Sequence, residues 1–275
     1  MGILIVFFGN EKLATGISPV KPVIFDAVLD AGFEIEQHVT GKLTELRPHK
    51  SVIAVLAAYG HIIPKSVLDQ FPLGIINVHP SLLPLYRGPT PIEQAILDGA
   101  SKTGVSIMHL TAGMDEGPIY KQKTVRLSGD ESKAELTERL QHLGSQLLTE
   151  VLQAIFSNQI KPHNQPHPDR ATYSRKLAKA DGDIDWTKSA QQIEREIRAY
   201  AGWPGSHTIL AGKEVIINAA HVVDKTGKPG KTMVEDKQLL VYAGQKALNI
   251  DKLKPAGKTE MTSQAFLAGY KIKGR

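Results

Sequence analysis

The sequence predicts an α/β protein: a doubly wound sheet domain followed by a small β-barrel domain. Three observations carry the prediction. Up to Phe156, short apolar runs alternate with amphipathic stretches. A proline-bearing stretch without periodicity follows at Ser157–Thr172, and beyond it come short strand-like segments separated by glycine turns.

Ile3–Phe8, Phe33–Val39, Ser51–Ala57 and Gly74–Val78 are rich in Val, Ile and Phe and bounded by Gly, Pro or charge, the pattern of buried parallel strands. Pro19–Ala31 and Pro64–Phe71 open on a proline suited to a first helical turn and carry apolar residues at helical spacing. Gly104–Leu110 reads as a further strand. Ser132–Phe156 sets Leu136, Leu140, Leu143, Leu147, Val151 and Ile155 at intervals of three and four, a long helix laying one stripe on the sheet. Pro162, Pro166 and Pro168 mark an exposed connector, so the expected boundary places one domain at 1–170 and another at 171–275. In the second, Ser189–Tyr200 is a helix with Ile193, Ile197 and Tyr200 on one face. His207–Leu210, Glu214–Ala220, Leu239–Ala243 and Ala247–Leu253 are short strands fitting a small barrel, possible kinds including the oligonucleotide-binding (OB) one.

Composition narrows the chemistry. The 275 residues contain no cysteine, which excludes disulfides, thiolate metal sites and thiol catalysis and fits a reducing compartment. No apolar run is long enough to span a membrane, and the apolar N-terminus lacks the basic start of a signal peptide, so the expected location is the cytoplasm. From Ala171 onward there are 18 Lys+Arg and 11 Asp+Glu, against 15 and 17 before it. The net charge of +5 thus belongs to the second domain, as in a protein that meets a polyanion, although on charge alone a solvated lysine-rich surface is the simpler reading.

The densest group of chemical residues is Asn77-Val78-His79-Pro80-Ser81-Leu82-Leu83-Pro84, directly after a predicted strand, where open α/β sheets place their ligands. Asn77 and His79 are two apart and project to one side of an extended backbone. An amide donor beside an imidazole suits a reaction that builds an oxyanion on a carbonyl carbon. Asp115, in Met114-Asp115-Glu116-Gly117-Pro118, is placed to orient His79 and favour its charged form. Spacing alone fits turn capping by Asn77 and His79 and an Asx-turn at Asp115 at least as well. The glycines after the first strand match neither a dinucleotide nor a P-loop fingerprint, and the ten histidines show no metal-ligand spacing, so no metal is expected.

The ordered set Asn77–Pro84 with Arg87-Gly88, then Thr103–Met108, then Met114–Gly117, resembles the signature of the folate-dependent formyltransferases. Ala58-Tyr59-Gly60-His61-Ile62-Ile63-Pro64 resembles the loop that holds the pterin of 10-formyltetrahydrofolate. Tyr173–Leu177, Asp183–Trp186, Ile197–Tyr200 with Trp203-Pro204, and Leu253–Lys258 resemble the branch of the family that acts on methionyl-tRNA. The resemblance implies a Rossmann-like formyltransferase domain followed by an OB-like barrel, and a catalytic trio of Asn77, His79 and Asp115 with His79 protonated. It further implies folate contacts at Tyr59, Gly60, Ile62, Ile63, Pro64, Ser81, Leu82, Leu83 and Pro84, and substrate contacts at Leu13, Lys42, Arg87, Lys254 and Lys258, in a monomer without an obligate protein partner. Arg87 reads either as a ligand of the substrate's phosphate or carbonyl, or as a bridge from its loop to a carboxylate. Two departures stand out: Leu13 replaces an aromatic residue, and the segment after Val39 is too short to hold the family's long basic loop. Alternative acceptors within the fold are an amino-sugar nucleotide and glycinamide ribonucleotide; a non-catalytic RNA-binding relative is the other reading.

Overall fold

A computed structural model describes residues 3–9, 23–40, 46, 50–59 and 61–271. Two compact units are present, the first ending at Lys176 and the second beginning at Leu177, with Ile96–Gly99 and Glu131–Lys133 grouped with the second.

In the first unit, β1 (Ile3–Gly9), β2 (Phe33–Val39), β3 (Ile53–Ala57), β4 (Ile75–His79), β5 (Lys102–His109) and β6 (Ile119–Arg126) form a six-stranded sheet of order β2-β1-β3-β4-β5-β6. The first four strands are parallel, whereas β5 runs antiparallel to β4 and β6 antiparallel to β5. The sheet is therefore mixed rather than wholly doubly wound. For β6 the cause is local: only the short loop Leu110–Pro118 joins it to β5, which closes an antiparallel pair and is too short for a crossover helix.

The helices are α1 (Val23–Asp30), α2 (Lys65–Leu68), α3 (Pro91–Leu97) and α4 (Lys133–Phe156). Pro64 stands at the N-cap of α2, and the α2 side of the sheet is sealed by Val6, Phe8, Ala54, Tyr59, Ile63, Val67, Phe71 and Ile75. Leu136, Leu140, Leu147 and Val151 of α4 are buried as their periodicity predicts, together with Leu148 and Leu152. At Gly144 the helix comes so close to the sheet that a Cβ would lie 2.9 Å from Cγ1 of Val78. Val78 of β4 therefore faces α4, and alternation turns Asn77 and His79 to the other side.

The second unit holds α5 (Ala190–Ala199), β7 (Ser206–Leu210), β8 (Lys213–Val223), β9 (Thr232–Glu235), β10 (Gln238–Tyr242), β11 (Ala247–Pro255), β12 (Met261–Thr262) and α6 (Ser263–Gly269). Its strands pair antiparallel in the order β7-β8-β11-β10-β9, with β12 on β11. The path is open: no ladder joins β7 to β9 among the described residues, so the sheet is not the closed barrel expected. Instead Ile193 and Ile197 of α5 and Phe266 of α6 pack with Leu210, Val215, Ile217, Leu239, Val241, Leu248, Ile250 and Leu253 into one core.

Candidate active site

Strand β4 and the loop after it build the site. Asn77 and His79 are 6% and 4% exposed. The Asn77 side-chain amide makes no hydrogen bond with any other described residue. His79 is held at both ring nitrogens: Nε2 donates to the Tyr86 carbonyl oxygen at 3.0 Å, and Nδ1 lies 3.7 Å from Oδ2 of Asp115. Tyr86 and Asp115 both adopt left-handed backbone conformations, φ +58° and +48°, and these bends bring the carbonyl and the carboxylate to the ring. Asp115 Oδ2 also accepts from the Gly88 amide at 2.7 Å.

Burial holds His79 below the ordinary imidazole range and outweighs the opposing pull of Asp115 and the Tyr86 carbonyl. Burial thus works against the protonated His79 that the family resemblance implies. The resting ring is neutral with its proton on Nε2, and its Nδ1 lone pair faces a carboxylate that favours a second proton there. This has a pH consequence. Below the ordinary value of about 6.5 the unfolded chain binds a proton that the folded site refuses, so stability falls with pH from there until the folded site also protonates, with a slope of at most about 1.4 kcal/mol per pH unit. Denaturant unfolding of the protein and of His79→Gln between pH 7.5 and 5 should show that component only with His79 present.

Arg87 does not face open solvent. It is 5% exposed; Nε and Nη2 donate to Oε1 of Gln165 at 3.2 and 2.7 Å, Nη1 donates to the Tyr173 hydroxyl at 3.2 Å, and Nη1 lies 3.8 Å from Oε2 of Glu116. The approach to Glu116 is the contact that the bridge reading names. Gln165 passes the contact on, its Nε2 donating to the carbonyls of Asp115 at 2.6 Å and Gly117 at 2.9 Å.

The other expected contacts divide. Tyr59 is buried edge-on against Phe8, and Ile63 lies in the core, while Ile62 is 91% exposed just before Pro64 and α2. Ser81 donates its hydroxyl to the Leu85 carbonyl, Leu83 packs with Met108 and Ile119, Pro84 is buried and Leu82 half-buried, contacts that hold the loop over β5. Lys254 and Lys258 are exposed on the second unit. Leu13, Lys42 and Gly60 lie outside the described residues. No group of metal-ligating side chains is present among the described residues.

Two features escape the sequence reading. Gln165 is buried in a connector whose neighbours are exposed, and nothing in its surroundings in sequence separates it from Asn164. An open cleft of about 490 Å³ lies between α2 with the turn after it and residues 109–112. Leu68, Phe71 and Ile75 give it apolar lining, and Asp69, His109 and Thr111 give it polar groups. It starts at Lys65, the residue after the Ala58–Pro64 loop, and reaches Ile75, two residues before Asn77.

A buried amide donor and a neutral imidazole backed by a carboxylate, on a Rossmann-like sheet, define a site for acyl-type transfer. The chain belongs to the formyl transferase family: residues 9–152 match the formyl transferase model and 176–271 the model of the formyl transferase C-terminal domain. Among curated relatives, methionyl-tRNA formyltransferase of Roseiflexus castenholzii is 38% identical over 275 residues, covering 96% of this chain and 87% of its own. That of Chloroflexus aurantiacus is 43% identical over 235 residues, covering 84% and 74%. Of solved structures, HypX from Aquifex aeolicus in complex with tetrahydrofolic acid shares the fold with a TM-score of 0.71 at 17% identity, covering 96% of this chain, which spans 46% of HypX. The methionyl-tRNA formyltransferase from Clostridium thermocellum gives 0.60 at 17% identity, over 89% of this chain and the whole of that one.

Proposed function

We propose that this protein transfers the formyl group of 10-formyltetrahydrofolate to the α-amine of methionyl-tRNA. The observation that carries the reading is the juxtaposition of Asn77, His79 and Asp115 in a chain with 38–43% identity to methionyl-tRNA formyltransferases. The cleft beside α2, with Leu68 at an apolar edge and Asp69, His109 and Thr111 as a polar rim, is the place proposed for the heteroatom-rich ring of the folate. The bound folate supplies an activated formyl carbon on a nitrogen leaving group. Asn77 Nδ2 donates to the formyl oxygen as the amine adds and negative charge grows there. The neutral His79 takes up at Nδ1 the proton the amine loses, directly or through water, and Asp115 stabilises the imidazolium so formed. Return of that proton to the departing nitrogen completes the transfer and resets the ring.

In this reading residues 1–170 carry the chemistry. Residues 171–275, taken as an OB-like module, bind tRNA through exposed lysines including Lys254 and Lys258, and the protein acts as a cytoplasmic monomer. The test is to incubate the protein with 10-formyltetrahydrofolate and, in parallel, methionyl-tRNA, other aminoacyl-tRNAs and an amino-sugar nucleotide. N-formyl product is expected with methionyl-tRNA, and its affinity should fall steeply between 50 and 200 mM salt, by about 10³ or more if six phosphates are contacted. Formylation of the sugar alone would overturn the acceptor, and absence of product with every acceptor would overturn the enzyme.

A further inference from the structure

We propose that Gln165, reaching out of the connector between α4 and the second unit, is a positioning residue that locks the Asp115 loop in its working conformation, with Arg87 as its anchor. The inference rests on the proposed role of Asp115. The argument is one of connectivity. Asp115 stands in a left-handed conformation, in a loop whose other charged side chain, Glu116, is more than half exposed. Such a bend persists only where its surroundings over-determine it. Gln165 meets that need from the inside: both hydrogens of its amide go to the carbonyls that flank Glu116, those of Asp115 and Gly117. Its oxygen is taken by two donors of Arg87, so the side chain is fixed at every polar atom and cannot rotate away. It is 7% exposed between residues that are all exposed, and the connector is tied down two residues earlier by the paired backbone bonds of His163 with Ile119 at the start of β6. Gln165 itself lies outside the lining of the α2 cleft, so it acts first on the placement of Asp115.

The test compares Gln165→Met, which matches the side chain in length and removes its polar atoms, with Gln165→Glu, which keeps the acceptor for Arg87 but loses both donors. Each should lower kcat by roughly ten- to a hundredfold, the effect of an approximately 1 Å misplacement, with the KM for 10-formyltetrahydrofolate changed less than twofold. A readout independent of acceptor and chemistry is the NMR titration of the His79 ring. In Gln165→Met the midpoint should move to lower pH, because the nearest negative charge, Asp115, leaves Nδ1, while Arg87 and Glu116 remain. A shifted midpoint without formylation of any acceptor would support the positioning role while overturning the proposed function. An unmoved midpoint together with unchanged kcat, or a lowered melting temperature with kcat and midpoint both as in the parent, would overturn the role of Gln165. Should Gln165→Met fail to fold, the kcat and KM of Gln165→Glu decide alone.

Discussion

Replacing Asn77 with alanine is expected to lower kcat for formyl transfer by about 100- to 1000-fold, the cost of removing one preorganised oxyanion donor, or roughly 3–4 kcal/mol of transition-state stabilisation. The structure separates this effect from a loss of folding. The amide makes no hydrogen bond with any other described residue, so its removal orphans no partner among them, and the neighbouring Val78, which packs on α4, is untouched. The melting temperature should therefore stay within a few degrees of the parent, and the KM for 10-formyltetrahydrofolate should change little. Asn77→Asp sharpens the test, since a carboxylate of nearly the same shape cannot donate and repels the developing negative charge. Activity above about a tenth of the parent in Asn77→Ala, measured by steady-state formylation with saturating folate, would remove Asn77 from the oxyanion site.

What the sequence makes legible, and what it hides, follows from the range of the forces involved. The strands β1 to β4 and the helix α4 are set by local alternation and periodicity, and their positions agree with the apolar patterns of Ile3–Phe8 and Leu136–Val151 to within a residue or two. The direction of β5 is not encoded in its composition, because Val105, Ile107 and Met108 would be equally buried in a parallel strand; the short loop to β6 fixes only that β6 returns antiparallel to it. Closure of the second sheet is likewise unreadable from short strands, which mark their own extent but not whether the first and last will meet. At the site, Asn77 and His79 share a face because β4 forces alternation, and that much was visible in their spacing. The charge state of His79 was not: Asp115, expected at the same sheet edge, argues for imidazolium, whereas the ring's near-complete burial, a property of the folded chain alone, argues more strongly for the neutral form. Arg87 shows the same limit. An arginine in a loop beside an active centre reads as a ligand for anions, and only the fold reveals that its guanidinium is already committed to Gln165 and Tyr173.

The close approach that this commitment requires sets the second large effect. Gly88→Ala should cost roughly 2–4 kcal/mol of stability and more than tenfold in kcat, combining backbone strain with a steric collision. Gly88 has φ +104°, where a Cβ is disfavoured in any surroundings, and here that Cβ would lie 2.4 Å from the carbonyl oxygen of Ser174. The oxygen cannot simply withdraw. Ser174 donates its amide to the Arg87 carbonyl at 2.7 Å, Arg87 donates its own to the Thr172 carbonyl at 2.9 Å, and the Ser174 hydroxyl accepts from the Thr90 amide at 3.0 Å. Relief of the clash must therefore part residues 172–174 from 87–90, displacing Arg87, and with it the Gly88 amide that donates to Asp115. Gly129 provides the control within the same unit: its φ is +97°, yet a Cβ there would meet nothing within 4 Å. Gly129→Ala should thus show the conformational cost alone, about 1–2 kcal/mol, with kcat unaltered. Chemical denaturation of the two variants beside the parent measures the difference; equal losses of stability would mean that the contact with Ser174 yields freely, and Gly88 would then owe its place to its backbone angle alone.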